Sequence, residues 1–181
     1  IAKVVASGKS NKKLKEFVER DLTNLWQLQK SYIIRNKNET LFFGIKPYAS
    51  PSDFGFHNIL SFNNDLSFID FEYAGIDDLA KLVADFSVCT SSPRSFKKLK
   101  LFKDHLYKNI KLDKNFKKRL ELILTINEFK WICIELNDFL PGKLERKRLV
   151  CDESLIARQK RQLDLAKERF GRIELKKVTH V

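Results

Sequence analysis

Apolar residues recur at helical spacing over residues 11–34, where Lys and Glu separate Leu14, Phe17, Val18, Leu22, Leu25 and Leu28. That periodicity predicts an amphipathic helix. The run Leu41-Phe42-Phe43-Gly44-Ile45 suits either a strand or the end of a buried segment. Pro47 and Pro51 then bracket a loop, because each proline restricts its own residue and the one before it. Two β-type runs follow, Ile59-Leu60-Ser61-Phe62 and Leu66-Ser67-Phe68-Ile69, separated by the turn-forming Asn63-Asn64-Asp65. They predict a hairpin. From Asp77 the pattern is helical, with helices expected near 77–89, 94–109, 113–139 and 153–176 and breaks at Pro93 and Pro141-Gly142. The last carries an apolar stripe at Leu155, Leu163, Ala166, Phe170 and Ile173. The expected class is mainly α with a small β-hairpin.

Composition agrees with that class. Six Gly and four Pro in 181 residues leave few turns, which excludes a sandwich or barrel. The length suits one helical domain over 1–181. Three cysteines, Cys89, Cys133 and Cys151, are odd in number and far apart, so they make neither a disulfide framework nor a zinc knuckle and read as reduced thiols. The apolar stretch 120–140 is interrupted by Glu121, Glu128, Lys130, Glu135 and Asp138, a buried helix and not a membrane span. No signal peptide is visible, so a cytoplasmic protein with no membrane partner is expected. The chain starts at Ile1 and has no Met, and a native chain beginning further upstream is expected.

The net charge of +12 fits three kinds of partner: nucleic acid, an anionic surface, or a nucleotide with a phosphate-bearing substrate. Runs such as Lys12-Lys13, Lys97-Lys98, Lys117-Lys118-Arg119 and Arg146-Lys147-Arg148 read as solvated helix faces. Trp26 and Trp131 fall in apolar patterns and are expected in the core, while His105 and His180 are expected in solvent.

Polar chemistry concentrates between Pro51 and Gly75. A hairpin brings its two ends together, so Asn58 and Asp70 should meet, offering the hard oxygen ligands that Mg²⁺ takes alongside phosphate and water. Asp53, just before the hairpin, is placed to face a hydroxyl directed at a metal-bound phosphate. An Asp for the hydroxyl and an Asn and an Asp for Mg²⁺ are the parts phosphoryl transfer requires. Taken one at a time, the same residues are ordinary loop formers: Asp53 a turn cap, Asn58 a turn residue, Asp70 a strand-end carboxylate.

Read together, these residues resemble the catalytic loop and metal segment of the aminoglycoside phosphotransferase and choline kinase family, relatives of protein kinases. Asp53 and Asn58 match an Asp followed five positions later by an Asn, and Asp70 in Ile69-Asp70-Phe71-Glu72 matches the metal-binding phrase at the end of the next strand. Asp77-Asp78-Leu79-Ala80 through Asp85 is similar to the helix entry that follows. The match covers about residues 50–86. Where the family has His two places before its catalytic Asp, this chain has Pro51, and His57 occupies a different position.

The resemblance implies the C-terminal lobe of a protein-kinase-like phosphotransferase, with a catalytic loop at 50–58 and a metal segment at 68–75. It implies ATP or GTP and Mg²⁺ as cofactors, bound through Asn58 and Asp70, and a small-molecule hydroxyl as acceptor, served by Asp53. The Gly-rich phosphate loop and strand Lys of such enzymes belong to an N-terminal lobe that this chain lacks, so the isolated chain is expected to be inactive. Glu72 and His57 are expected to be structural or oriented loop side chains, and Asp85 to anchor loops by hydrogen bonds. Two rival readings are a non-catalytic kinase-like scaffold and a basic helical nucleic-acid-binding module. Charge alone supports the second, no recognition motif accompanies it, and nucleic acid is therefore not the expected partner.

Overall fold

The structure is a computed structural model that describes residues 11–36, 38–89, 96–140 and 154–178. It is mainly helical, with two small antiparallel two-stranded sheets. The described residues fall into two compact units. One combines the chain up to Ile34 with the chain from Glu128 onward, and the other is Arg35–Asn127. The expected breaks at Pro93 and Pro141-Gly142 lie outside the described residues, as do Cys151, His180 and the Arg146-Lys147-Arg148 run.

In the first unit, α1 (Lys12–Glu16) starts where the Asn11 side chain accepts from the Leu14 N–H at 3.0 Å, satisfying one of the donors that a helix start leaves open. A π-type segment, Phe17–Leu22, leads into α2 (Thr23–Asn36), and across the junction the Thr23 hydroxyl donates to the Val18 carbonyl. Leu14, Phe17, Val18, Leu22 and Leu25 are buried as expected. They pack with Phe129, Ile132, Leu136 and Phe139, and with Leu163, Ala166 and Ile173 of α6 (Leu155–Val178). The stripe expected on the last helix therefore does face a core.

Leu28 departs from expectation, being 58% exposed. The buried face continues from Leu25 to the residue one helical turn on, which is Gln29 at 2% exposure. Both amide atoms of Gln29 are buried without a hydrogen-bond partner. Trp26 also sits at the rim, 36% exposed and tilted against Phe129, and Trp131 is half-buried beneath the Arg169 guanidinium. Both ring systems are too large for the narrow interior stripe, and each keeps an edge in water. Arg169 in turn donates from Nε and Nη2 to one carboxylate oxygen of the buried Glu135.

The second unit holds strands β1 (Tyr48–Ser50), β2 (Ile59–Phe62), β3 (Asp65–Phe68) and β4 (Gly75–Asp77), then α3 (Leu79–Val88) and α4 (Phe96–Asn109). Helix α5 (Phe116–Glu135) begins in it. The expected hairpin is β2–β3, with Ile59 opposite Phe68 and Phe62 opposite Asp65. Asn63 and Asn64 both adopt positive φ, the two-residue turn whose twist matches the strands, and Asn tolerates that conformation. The run at 41–45 forms no strand. It begins inside a 3-10 turn (Glu39–Phe42), where Leu41 is buried, while Phe42 and Phe43 are exposed. The sequence reading missed β1 and β4, which pair Tyr48 with Asp77 and Ser50 with Gly75.

Leu79, Ala80, Val83 and Phe116 centre the core of this unit. Beside it lies Arg119, which the sequence reading placed on a solvated face and which is 2% exposed. Its guanidinium donates to Asp78 at 2.6 and 3.2 Å, to Asp113 at 2.7 and 2.8 Å, and to the Leu41 carbonyl at 3.2 Å. A buried guanidinium is tolerated because five N–H donors meet five acceptor contacts. The Arg119 hydrogen bond is the largest cause that holds the Asp113 carboxyl down to about 2 from an ordinary 3.8; partial burial opposes it and the Asn115 N–H adds to it.

Two predictions follow from these polar groups. Gln29→Met keeps the side-chain volume and removes two unpartnered polar atoms, so urea unfolding should show a gain of about 1–3 kcal/mol. A loss would mean that the amide is serving an interaction. For Asp113 the folded value lies below the unfolded one. Its contribution is therefore complete above about pH 3.8 and fades as pH falls toward about 2. Asp113→Asn should flatten the pH dependence of stability in that window, and an unchanged acid limb would refute the assignment.

Candidate functional site

The segment between Ser50 and Gly75 is a closed excursion, because those two residues pair across β1 and β4. Three-residue strands give little cohesion by themselves. Their value is to fix both ends of the loop–hairpin–loop that carries Asp53, Asn58 and Asp70.

Where the chain leaves β1 it makes a tight turn. The Asp53 N–H donates to the Pro51 carbonyl at 2.8 Å, with Ser52 at φ 64°. A three-residue turn with a positive φ at a non-glycine costs about 1–3 kcal/mol, and such strain persists only where the surroundings over-determine it. Here they do. The Ser52 N–H donates to Ser50 Oγ at 3.1 Å, and the Ser52 hydroxyl receives Lys81 Nζ at 3.4 Å. Lys81 stands on α3 and also reaches Asp77 at 3.0 Å and Asp85 at 2.8 Å. Burial alone would lower the Lys81 ammonium, but the hydrogen bonds to Asp85 and Asp77 outweigh it and hold its pKa above the ordinary value. The second oxygen of Asp85 accepts from Asn127 Nδ2 at 2.8 Å. A polar chain therefore runs from Asn127 on α5, through Asp85 and Lys81, to the turn that presents Asp53. Asp85 does anchor by hydrogen bonds, but it ties helix to helix and reaches the loop through Lys81.

The side chains after Asp53 are set by aromatic packing. Phe54 stacks on Phe86 of α3 at 5.1 Å between centroids and lies 6.2 Å from Phe102 of α4 and 6.1 Å from Phe68 of β3. Phe56 meets Phe86 edge-on. These rings pin the loop on both sides of Gly55. A 3-10 turn, Phe56–Asn58, then puts His57 back over Asp53, with Nε2 3.3 Å from Asp53 Oδ2. A carboxylate only accepts, so Nε2 carries the proton of this contact. The sequence reading treated His57 as separate from Asp53. Their spacing of four across one turn was the signal that would have joined them.

Asn58 is 7% exposed. Its Nδ2 donates to the Asp53 carbonyl at 2.9 Å, which settles the amide orientation, since a carbonyl cannot donate, and leaves Oδ1 as the acceptor of the pair. The Asn58 carbonyl accepts from the Ile69 N–H at 3.0 Å, one step beyond the Ile59–Phe68 pair. The hairpin thus brings Asn58 to the residue adjoining Asp70, as its geometry required. Asp70 is exposed and sits at φ 62°, the second strained non-glycine of the excursion outside the hairpin turn. The Ala74 N–H closes the following turn on the Phe71 carbonyl. Within that turn the Tyr73 hydroxyl is pushed above its ordinary pKa, first by its hydrogen bond to Glu72 and that residue's charge, then by burial and by the charges of Asp70 and Asp53.

As a place for Mg²⁺, the arrangement offers two protein oxygens, Asn58 Oδ1 and the Asp70 carboxylate. Among the described residues no group of three or more His, Cys, Asp or Glu side chains is set to hold a metal. Two ligands of this kind suit an ion that takes its other oxygens from phosphate and water, and do not suit one caged by protein. The donor types present, an amide oxygen and a carboxylate, are compatible with that limited role.

Removing either end of the Ser52–Lys81 contact should disturb Asn58 at a distance. In Ser52→Ala and Lys81→Met the strained turn should relax, shifting the Asn58 side-chain amide signals in ¹⁵N NMR. Lys81→Arg should restore them, and Asp65→Asn should leave them alone. Asn58 signals unmoved in both Ser52→Ala and Lys81→Met would mean that the turn is held by the aromatic packing instead.

Compared with protein-family models, curated proteins and solved structures, the chain matches none of them.

Proposed function

We propose that this chain is the catalytic lobe of an ATP-dependent, protein-kinase-like phosphotransferase acting on the hydroxyl of a small molecule. The observation that carries the reading is the Asn58 side chain, buried and locked by its hydrogen bond to the Asp53 carbonyl, in a loop strained at Ser52 and closed by β1 and β4. A turn-capping pair of loop residues needs neither the burial nor the strain. A site whose oxygens must be held within a fraction of an ångström benefits from both.

In this reading Asp53 is the catalytic residue. His57 engages Oδ2, and the other carboxylate oxygen is left to accept the proton of the acceptor hydroxyl. Asn58 presents Oδ1 and Asp70 its carboxylate from the far end of the hairpin. Mg²⁺ with ATP or GTP would supply the phosphoryl group and neutralise its charge. Exposed apolar side chains on the hairpin support the same reading: Leu60 and Phe62 stand on one face and Leu66 and Phe68 on the other, Phe62 at 77%, and a two-stranded hairpin cannot bury them alone. A nucleotide base or a further lobe of protein closing over the site would cover one of these faces.

The division of labour is testable with Mg²⁺ and ATP titrated by calorimetry and NMR, alongside phosphate transfer to a panel of hydroxyl acceptors. Asp70→Ala should lose Mg²⁺-dependent nucleotide binding, while Asp53→Asn should keep it and lose transfer by about 100-fold or more. Asn58→Ala should fall between them, because water replaces a neutral ligand in part. Equal loss of binding in Asp53→Asn and Asp70→Ala would contradict the roles assigned. Nucleotide binding in which neither Asn58 nor Asp70 signals respond would contradict the site.

A further inference from the structure

The charge of the second unit is sharply divided along the chain. Residues 50–86 contain seven Asp and Glu and one Lys. Residues 96–119 contain ten Lys and Arg and two Asp. The structure separates the cations of that second stretch by role. Arg119 is buried and spent on Asp78 and Asp113, which also removes Asp113 as a surface counter-charge. Lys100 and Lys108 on α4, Lys111 and Lys114 in the connection, and Lys117 and Lys118 at the start of α5 are exposed. No ion pair among the described residues engages any of these six. Asp104 is the remaining acid of the stretch.

We infer that this α4–α5 face is a docking surface for the phosphate backbone of double-stranded nucleic acid, independent of the phosphotransferase site. Six exposed like charges within nineteen residues repel one another, and a polyanion relieves that repulsion while releasing its own counterions. The composition of the face decides between polyanions. A membrane-binding helix sets large apolar side chains beside its cations. Here Phe102, Leu106, Tyr107, Ile110 and Leu112 pack against the core, and among the described side chains of α4 Leu101 is the one large apolar side chain left exposed. The described cations of the surface are lysines, and no Phe, Tyr or Trp among the described side chains of α4 and the start of α5 is exposed, which suits point contacts to phosphates and not stacking on single-stranded bases. Binding of this kind positions without reading sequence.

The test uses the whole chain and a short duplex DNA of arbitrary sequence, followed by fluorescence anisotropy over a salt series. If four of the lysines neutralise phosphates, log affinity should fall against log salt with a slope of about −3.6, and raising salt from about 50 to about 200 mM should weaken binding about 100-fold. The combined substitution Lys111→Glu, Lys114→Glu, Lys117→Glu and Lys118→Glu should abolish binding at low salt. A control with the same change in net charge, Lys12→Glu, Lys13→Glu, Lys15→Glu and Lys30→Glu, should bind to within a few fold of wild type. All eight test and control positions are solvent-exposed, and circular dichroism checks that each variant folds; the Lys→Gln versions serve if a Glu set does not. Absence of binding by the wild type at low salt overturns the inference. So does equal weakening by the control set, which would reduce the effect to net charge. Tighter binding to vesicles rich in anionic lipid than to duplex, with the same dependence on Lys111 to Lys118, would make the face a membrane-surface site instead.

Discussion

A guanidinium with 2% exposure imposes more on this fold than any apolar contact does. Arg119 stays charged at any pH the protein meets, so every geometry that buries it must bring carboxylates to it. Asp78 comes from forty-one residues upstream and Asp113 from six, and the Leu41 carbonyl completes the set. Asp78 is also the N-cap of α3, its Oδ1 accepting from the Ala80 N–H at 3.0 Å. The pair therefore fixes where α3 begins. One residue earlier Asp77 ends β4, and one turn later Lys81 points back to Asp77, to Asp85 and to Ser52. Moving Asp78 by a single residue would break the Arg119 bridge, the helix cap and the Lys81 contacts together.

Strain in the second unit is placed with the same economy. Among the described residues four non-glycines hold positive φ: Ser52, Asn63, Asn64 and Asp70. Asn63 and Asn64 are accounted for by the hairpin turn, whose type demands that conformation at both positions. Ser52 and Asp70 have no such local excuse. They flank the hairpin from the two sides, one immediately before Asp53 and the other at Asp70 itself. Each is paid for by a neighbour: Ser52 by the Lys81 and Ser50 contacts, Asp70 by the strand pairing that ends beside it and the Phe71–Ala74 turn that follows.

Much of this was legible in the amino-acid order, and what was not has physical reasons. The hairpin could be read because Asn63-Asn64 is a turn signal with a mechanism, set between β-branched and aromatic runs. The helices could be read from their apolar period, although Gln29 took the place in the buried face that Leu28 suited better by composition. Strands β1 and β4 could not be read. Each is three residues long, and the pairing of Ser50 with Gly75 is a tertiary fact with no local period. Arg119 was hidden for a similar reason: the run Lys117-Lys118-Arg119 looks uniformly basic, and nothing within it names a partner forty-one residues away. At the site, the nearness of Asn58 to the Asp70 end followed from the hairpin. The Asn58–Asp53 bond and the Lys81 brace depend on how a loop packs against a helix, which spacing does not encode.

The disposition of charge around that loop has a consequence for any phosphate that approaches it. Asp77, Asp78 and Asp85 are matched by Lys81 and Arg119, so the structural carboxylates take the basic partners of the second unit that lie close by. Among the described residues, the ion-pair partner of Asp53 is His57, which is charged only when protonated. Asp70 and Glu72 have no Lys or Arg ion pair among the described residues, and Glu72 is engaged by the Tyr73 hydroxyl. The open face therefore presents carboxylates without fixed cations. A polyphosphate alone meets like charge there, and no lysine of the loop stands ready to receive it. In the proposed phosphotransferase reading, Asp70 and Asn58 would hold a divalent cation, and its charge would reverse the sign of the interaction. Metal dependence of nucleotide binding would then follow from where the fold has already committed its positive charges, and the lysines of α4 and the start of α5 would remain over for the different polyanion proposed above.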